Sequence, residues 1–314
     1  MTTSVFFAVP ARREILSELN ALVPDNPFAT PAYFEAKHRL GCTNWVIGIK
    51  NAMGGFRCGC GAFLRKGKLS CELEITSLPS VPRQDEFWVG LAEFCRKQRV
   101  TVLRLNSFNS PPGVQIPELD YSITWQSRSE FVLDLCTDLP RNMSKNHQRN
   151  IKSARQAGVE IRRTRLVDAA AAHCRLIHES RQRRRARGES IRAGGSCDEH
   201  VVYVETGLGE LFQALLKDEI VSSVLVLRTP KMGYYHSAGT SPEGMALGAS
   251  HFLLRAIADL LRASGAEFFN LGGADLDSGL ARFKRGFGAR TVPLWSAECF
   301  TGSIWRRMAR GALG

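Results

Sequence analysis

The absences in this chain narrow its function first. No stretch approaches the ~20 predominantly apolar residues of a membrane span. The longest uninterrupted apolar runs are short, such as Val224 to Leu227. No basic region precedes the apolar patch within Met1 to Pro10 and no clear cleavage site follows it, so mature protein rather than a signal peptide is expected there. The nine cysteines contain no CxxC pair, and Cys58-x-Cys60 lacks a second pair at zinc-finger spacing. Free, mostly buried thiols in a reducing cytoplasm are expected. No GxSxG elbow and no P-loop occur, which removes the common serine-hydrolase and nucleotide-loop classes. The seven histidines form no HExxH, and His173 and His178 stand five apart, a poor metal pair, so no metal site is expected. Glu72-x-Glu74 reads as one face of a strand, not as a catalytic dyad.

The 314 residues, 44% of them hydrophobic, suffice for two domains with packed cores. The net charge is +12, with 32 Arg against 10 Lys. It is concentrated: Arg141 to Arg192 holds 15 basic and 4 acidic residues, a net of +11. A local anionic partner follows, such as coenzyme A phosphates, tRNA, a nucleotide-linked glycan or an acidic lipid. That segment contains no Phe, Tyr or Trp. It therefore lacks the stacking platforms of a single-strand nucleic-acid binder.

Apolar spacing predicts a helix over Ala11 to Leu22, followed by a loop broken at Pro24, Pro27 and Pro31. Strands are predicted at Trp45–Lys50, Phe56–Leu64 and Leu69–Ile75, a helix at Gln84–Gln98, and strands at Val102–Leu105 and Phe131–Leu135. A second set follows: a helix over Asn142–Gln156 closed by Gly158, a strand at Val159–Arg163, and a helix over Ala169–Arg187. A helix is predicted near Leu208–Leu216. Strands at Val221–Arg228 and Gly233–Ala238 come next, then a helix at Ala249–Ser264 and a strand at Glu267–Leu271. A short helix at Ser278–Arg285 and a strand at Pro293–Phe300 close the chain. The shared order in both halves suggests one α/β unit used twice.

Three segments have the residue types for chemistry. Tyr234 to Ala238 runs as a strand into Gly239–Gly244, and Gly248-Ala249 opens a helix, so free backbone N–H groups and a helix dipole converge on one anion site. Phe269-Asn270-Leu271-Gly272-Gly273-Ala274-Asp275 ends a buried strand in a flexible loop. Ser278 to Ala289 follows, with Phe283 and Phe287 on one face and Lys284 between Arg282 and Arg285. A lysine beside two cations is suited to stabilise an oxyanion. On the helix from Asn142, Lys145, Arg149 and Lys152 form a cationic stripe opposite Met143, His147, Ile151 and Ala154. The arginines 181, 183, 184, 185 and 187 surround the end of the following helix, where the dipole alone favours them.

These residues resemble a known family. Asn142 to Val159 resembles the RRNIRKAEKAGV helix of GNAT-like acyltransferases, and residues 181–187 resemble their RRRxG segment. Phe269 to Gly273 with Ala281 to Gly288 resembles their closing FxxGG…FKxxFG motif. The family is the GNAT-type N-acyltransferases related to the Fem peptidoglycan aminoacyltransferases, with members associated with cellulose and exopolysaccharide production. The resemblance covers about residues 130–300. It implies an α/β (α+β) fold of tandem GNAT-like domains with mixed central sheets, residues 1–139 and 140–314, the second being the acyltransferase. It implies a donor between two splayed strands, contacted by Tyr235, His236, Ser237, Gly244, Gly248 and Ala249. Lys284 then stabilises the transition state and Phe283 shapes the pocket. Lys145, Arg149, Lys152, Arg184, Asn270, Asp275 and Arg282 are candidate contacts to the acceptor or to an anion. The loop after the strand departs from the Q/RxxGxG/A pattern of coenzyme A binders, and no long coiled-coil insertion is present.

The expected activity is N-acyl transfer from acyl-CoA, a co-substrate and not a resident cofactor, to an amino sugar or amino-acid-like acceptor of the cell envelope. Aminoacyl-tRNA transfer to a peptidoglycan precursor is the alternative. A non-catalytic anionic-ligand or RNA-binding module is the alternative from another class. A cytoplasmic location without a DNA partner is expected, and the tail Ile304 to Met308 is a candidate for peripheral membrane contact. Reversing Lys145, Arg149 and Lys152 to Glu is expected to weaken binding of an anionic donor or acceptor. Titration at several salt concentrations checks this, and an affinity unchanged throughout removes the stripe from the site.

Overall fold

The computed structural model describes residues 5–81, 86–111, 114, 122–188 and 196–300. The expected tail contact at 304–308 lies outside these. The chain forms two compact units, residues 1–129 with 292–314, and residues 130–291.

The first unit opens with β1 (Val5–Pro10), α1 (Arg13–Leu22), a 3₁₀ turn at Pro27–Ala29 and α2 (Pro31–Arg39). Of the three prolines read as breakers, Pro24 lies in the turn after α1, while Pro27 and Pro31 start elements. Pro31 occupies the first turn of α2, where its missing N–H costs nothing, and Thr30 caps that helix through Tyr33 N. β1 went unread because its six residues are uniformly apolar and pair with β2 (Thr43–Lys50). β3 (Phe56–Lys66), β4 (Cys71–Ile75), α3 (Glu86–Lys97) and β5 (Val102–Asn106) follow as the sequence predicts. The α3 stripe of Phe87, Leu91, Phe94 and Cys95 is buried, packed with Leu73, Ile75, Leu103 and Leu105. The sheet order is β1-β2-β3-β4-β5, with β4 and β5 parallel and the other neighbours antiparallel. Past that pair the two chains stay joined: Leu78 N donates to Asn106 O at 3.0 Å and Phe108 N to Thr76 O at 3.2 Å.

Strand β6 (Ser122–Asp134) carries the chain into the second unit and is much longer than expected. There α4 (Leu139–Asn142) and α5 (Lys145–Gln156) replace the one helix predicted, because Ser144 is extended and caps His147 N. After β7 (Glu160–Thr164) come α6 (Asp168–Ala186) and α7 (Cys197–Glu205). β8 (Gly209–Leu216), β9 (Glu219–Arg228) and β10 (Met232–Thr240) form an antiparallel meander. α8 (Pro242–Leu247) and α9 (Ala249–Ala263) lead to β11 (Phe268–Ala274), parallel to β10. α10 (Gly279–Arg285) precedes β12 (Arg290–Phe300), whose end pairs with β5 of the first unit.

Residues 209–216 form a strand, not the expected helix. Both faces of β8 are covered, so no alternation shows, and its polar residues are internal. Glu210 receives Arg163 at 2.7 Å, Arg165 at 3.0 Å and Arg228 at 3.3 Å, while Gln213 accepts from Arg162 at 2.9 Å. Four arginines are thereby held by the sheet itself. A second correction concerns the thiols. Cys174 and Cys197 are joined in a disulfide that ties α6 to α7, and seven other cysteines are free. Their positions, 23 residues apart in sequence, gave no spacing signal. Among the described residues no helix is long and apolar enough to cross a membrane.

One face of this sheet packs on α5 and α9 through Ile151, Ala154, Leu253, Ile257 and Leu261. On the other face α6 lies directly against β10 at Gly239, where an added Cβ would enter the backbone of Leu176 and Ile177. Gly239→Ala is therefore expected to destabilise the second unit by about 2–3 kcal/mol through overpacking. Denaturant unfolding of the variant checks this.

Candidate functional site between two parting strands

β10 and β11 pair at only three positions, Met232 with Phe268, Gly233 with Phe269 and Tyr234 with Asn270. Beyond them the parallel strands part. The gap is held open by side chains that take over the ladder's hydrogen bonds. The Gly272 N–H donates to Asn270 Oδ1 at 2.8 Å. The Lys284 ammonium, only 3% exposed, donates to Gly272 O at 2.9 Å and Gly273 O at 3.1 Å. Gly272 itself has φ +71°, a left-handed conformation that favours glycine.

Below the gap lies a buried carboxylate. Glu130 of β6 accepts from the Tyr234 hydroxyl at 3.2 Å and from Asn270 Nδ2 at 3.0 Å. Lys284 Nζ also lies 5.7 Å from the centre of the Phe131 ring and 5.8 Å from that of Tyr235. Glu130 and Tyr234 were missed by sequence reasoning. The available signal was an acid within the apolar run of β6.

A cavity of about 250 Å³ opens beside β10. Tyr235, Val224, Leu254, Leu280 and Phe283 give it apolar walls, and Thr240, Ser250, Arg183, Arg184 and Arg187 give it a polar, cationic side. Arg183 is held by Ser180 Oγ and the Thr240 carbonyl. Burial pushes the Tyr235 phenol well above its ordinary value, so it stays protonated.

Phe283 is fixed from behind. Its carbonyl accepts from His147 Nε2 at 2.8 Å, so His147 Nδ1 accepts the Ser144 hydroxyl at 2.9 Å. The imidazole sits where a side chain on Gly286 would stand. His147, His251, Phe283 and Phe287 cluster, with four of their contacts edge to face at ring-centre distances of 4.6–5.2 Å. Burial lowers His147, and lowers His251 to about 4.

Of the residues predicted for the donor, Tyr235 lines the cavity, together with Phe283 from the catalytic pair and Arg184 from the acceptor set. His236 and Ser237 turn to the opposite face of β10, where Ser237 Oγ meets His173 Nε2 at 3.0 Å. The Gly244 N–H is occupied by Ser241 Oγ at 3.0 Å as the cap of α8. Gly248, with φ +76°, lets α5 approach, since a Cβ there would stand 2.6 Å from Asn150 O. Ala249 is buried in the core. Asn270 lies at the base of the gap, whereas Asp275 and Arg282 are exposed. Lys145, Arg149 and Lys152 do form an exposed stripe on α5, away from the residues lining the cavity.

The acetyltransferase (GNAT) domain family matches residues 141–285. A search of curated proteins gives no match. Among solved structures, FemX superposes with a TM-score of 0.65 at 13% identity, covering 92% of this chain and 96% of that one. A tandem GNAT protein from the clavulanic acid biosynthesis pathway gives 0.56 at 12% identity, covering 95% and 99%. L-PGS from Bacillus licheniformis gives 0.56 at 12% identity, covering 96% of each. At these identities the likeness shows the fold, two GNAT units in tandem. The matched domain makes the second unit a GNAT acyltransferase domain.

The buried histidines set an acid limit on this unit. Burial first, then neighbouring histidines, lowers His173 to about 3; the same causes, with Arg181, lower His200 to about 4 against the pull of Glu199. Below the unfolded value of about 6.5 the unfolded chain binds protons that the folded one refuses. Stability is thus full above about pH 6.5 and falls toward pH 4, by up to about 1.4 kcal/mol per pH unit for each of the two. Denaturation midpoints measured across that window check it, and His173→Gln should flatten the slope.

Proposed function

Because residues 141–285 form a GNAT acyltransferase domain, we propose that the second unit transfers an acyl group from an acyl-CoA thioester to a primary amine, of the amino-sugar or amino-acid kind, for the cell envelope. The observation that carries this reading is the parting of β10 and β11 beside a cavity with apolar walls and an arginine side. An extended thioester arm fits between Tyr235, Leu254 and Phe283. Its phosphates meet Arg183, Arg184 and Arg187, the residues best suited to bind phosphate oxygens. When the amine attacks, the carbonyl carbon becomes tetrahedral and its oxygen gains negative charge. The Lys284 ammonium is a fixed positive charge at the edge of the gap and lowers the energy of that oxyanion. Phe283 orients the acyl group, held in turn by His147. A cytoplasmic site of action belongs to this reading, and there the Cys174–Cys197 pair would meet reducing conditions.

A second donor is supported by one observation. The Gly244 amide is taken by the Ser241 cap of α8 and Gly248 packs on Asn150, so the loop offers fewer amides to a pyrophosphate than expected. Aminoacyl-tRNA, as in the resembling Fem enzymes, would rely on arginines instead.

Calorimetric titration with coenzyme A and acetyl-CoA distinguishes the two. The expected result is a Kd of the order of micromolar. Lys284→Met, which keeps the bulk without the charge, should bind acetyl-CoA within a few-fold and lose about 10²-fold or more in transfer to glucosamine. A folded Lys284→Met protein with unchanged turnover removes the oxyanion role. No binding of either coenzyme A or acetyl-CoA by the folded wild type moves the donor to aminoacyl-tRNA, whose binding should weaken steeply with salt.

A further inference from the structure

The face of β10 turned away from the cavity has its own cluster of ionisable side chains. In the ladder with β9, Tyr235 pairs with Val226 and Ser237 with Leu225, so His236 is the extra residue of a β-bulge. The bulge stands just past the last β10–β11 pair, Tyr234 with Asn270, where the strand edge is open. The His236 bulge therefore borders the gap in which the acyl-transfer reading puts the donor carbonyl.

His236 Nε2 lies 4.0 Å from Glu199 Oε1, and its ring centre is 5.0 Å from Tyr203 and 5.8 Å from His200, all on α7. The Tyr203 hydroxyl donates to Glu199 at 2.6 Å and fixes that carboxylate. His236 Nδ1 lies 3.4 Å from Ser237 Oγ, which also meets His173 of α6; His173 continues to Ser223 Oγ at 2.9 Å. Arg181 of α6 adds a positive charge that reaches His200. His173 and His200 are fully buried, while the His236 and Glu199 side chains are 19% and 22% exposed. An accessible carboxylate beside an accessible imidazole attracts a cation and accepts a proton. Among the described residues no group of His, Cys, Asp and Glu is arranged to hold a metal ion.

An amine reaches the enzyme mostly as its ammonium ion and cannot attack until it loses a proton. We propose that this recess binds the primary ammonium group of the acceptor, Glu199 pairing with its charge and His236 taking its proton. The inference rests on the acyl-transfer reading above. One N–H proton moves to the His236 imidazole, and the freed lone pair forms the C–N bond at the acyl carbonyl. The C–S bond breaks, and the leaving thiolate takes the second proton from the tetrahedral nitrogen. His236 then returns its proton to water, so the net reaction yields amide, thiol and one proton. This moves His236 from the donor contacts expected of it to the acceptor side.

Thiol release from acetyl-CoA, with glucosamine or hydroxylamine as probe acceptors, tests the site between about pH 5 and pH 9. His236→Gln should lower kcat with glucosamine by about 10²-fold or more and remove the acidic limb of its kcat profile. Acetyl-CoA affinity should stay unchanged. Hydroxylamine, unprotonated at neutral pH, should lose less than about tenfold, since it needs no base. Glu199→Gln should raise KM for glucosamine and move the acidic limb to lower pH, because the imidazolium loses its anion. A His236→Gln enzyme that binds acetyl-CoA but keeps its rate and limb, or loses both nucleophiles equally, overturns the amine site alone. A wild type that binds no acetyl-CoA overturns the donor reading, and the amine site with it.

Discussion

Everything in the second unit depends on keeping two adjacent parallel strands apart. Peptide groups that leave a ladder inside a protein lose their partners, and an unpaired buried N–H or C=O costs about 1–3 kcal/mol. Here the loss is offset by side chains. Asn270 accepts the Gly272 N–H, and Lys284 donates to the carbonyls of Gly272 and Gly273. Glu130 anchors the last paired position through Tyr234 and Asn270. One lysine thus fixes a positive charge at the gap through the same carbonyls that need it. Under the oxyanion role proposed for it, a cation already held by backbone oxygens requires little reorganisation.

The first unit makes the contrast informative. It has the same strand, helix and parallel-strand order, yet beyond β4 and β5 its backbone continues to pair through Leu78 with Asn106 and Phe108 with Thr76. Main chain there fills the place that side chains fill in the second unit. Repetition of a fold therefore does not repeat the gap. Whether the strands part is decided by how a few peptide groups are satisfied at the end of one ladder, not by topology.

The sequence made the gap partly legible. Asn270, Gly272, Gly273, Phe283 and Lys284 stand out because glycines, aromatics and a cation crowd a short stretch, and the local helix and strand follow from ordinary periodicity. Glu130 and Tyr234 did not stand out, because their partners lie 104 or more residues away in the chain. Gly244 and Gly248 misled for a different reason. Glycines near a helix start signal close approach, but not of what: here it is the Val221 carbonyl of β9 and a neighbouring helix. β8 misled because a strand buried on both faces shows no alternation. His236 and Ser237 follow Tyr235 along one strand, and only the bulge sends both to the same, opposite face.

The charge of the basic segment resolves in the same way. Read along the chain, residues 141–192 are one cationic block. In the fold they separate into groups with different partners. Arg162, Arg163 and Arg165 are held by Gln213 and Glu210 inside or beside the sheet, and stripping such partners from a buried carboxylate is costly. Lys145, Arg149 and Lys152 remain as an exposed stripe on α5, where salt screens them and one exposed pair contributes little. Among the described residues of the block, Arg183, Arg184 and Arg187 are the cations that line the cavity beside the gap. Net charge therefore states that an anion is to be expected, while the fold decides where the cations stand: three of them, at the end of α6, beside the apolar walls of the cavity.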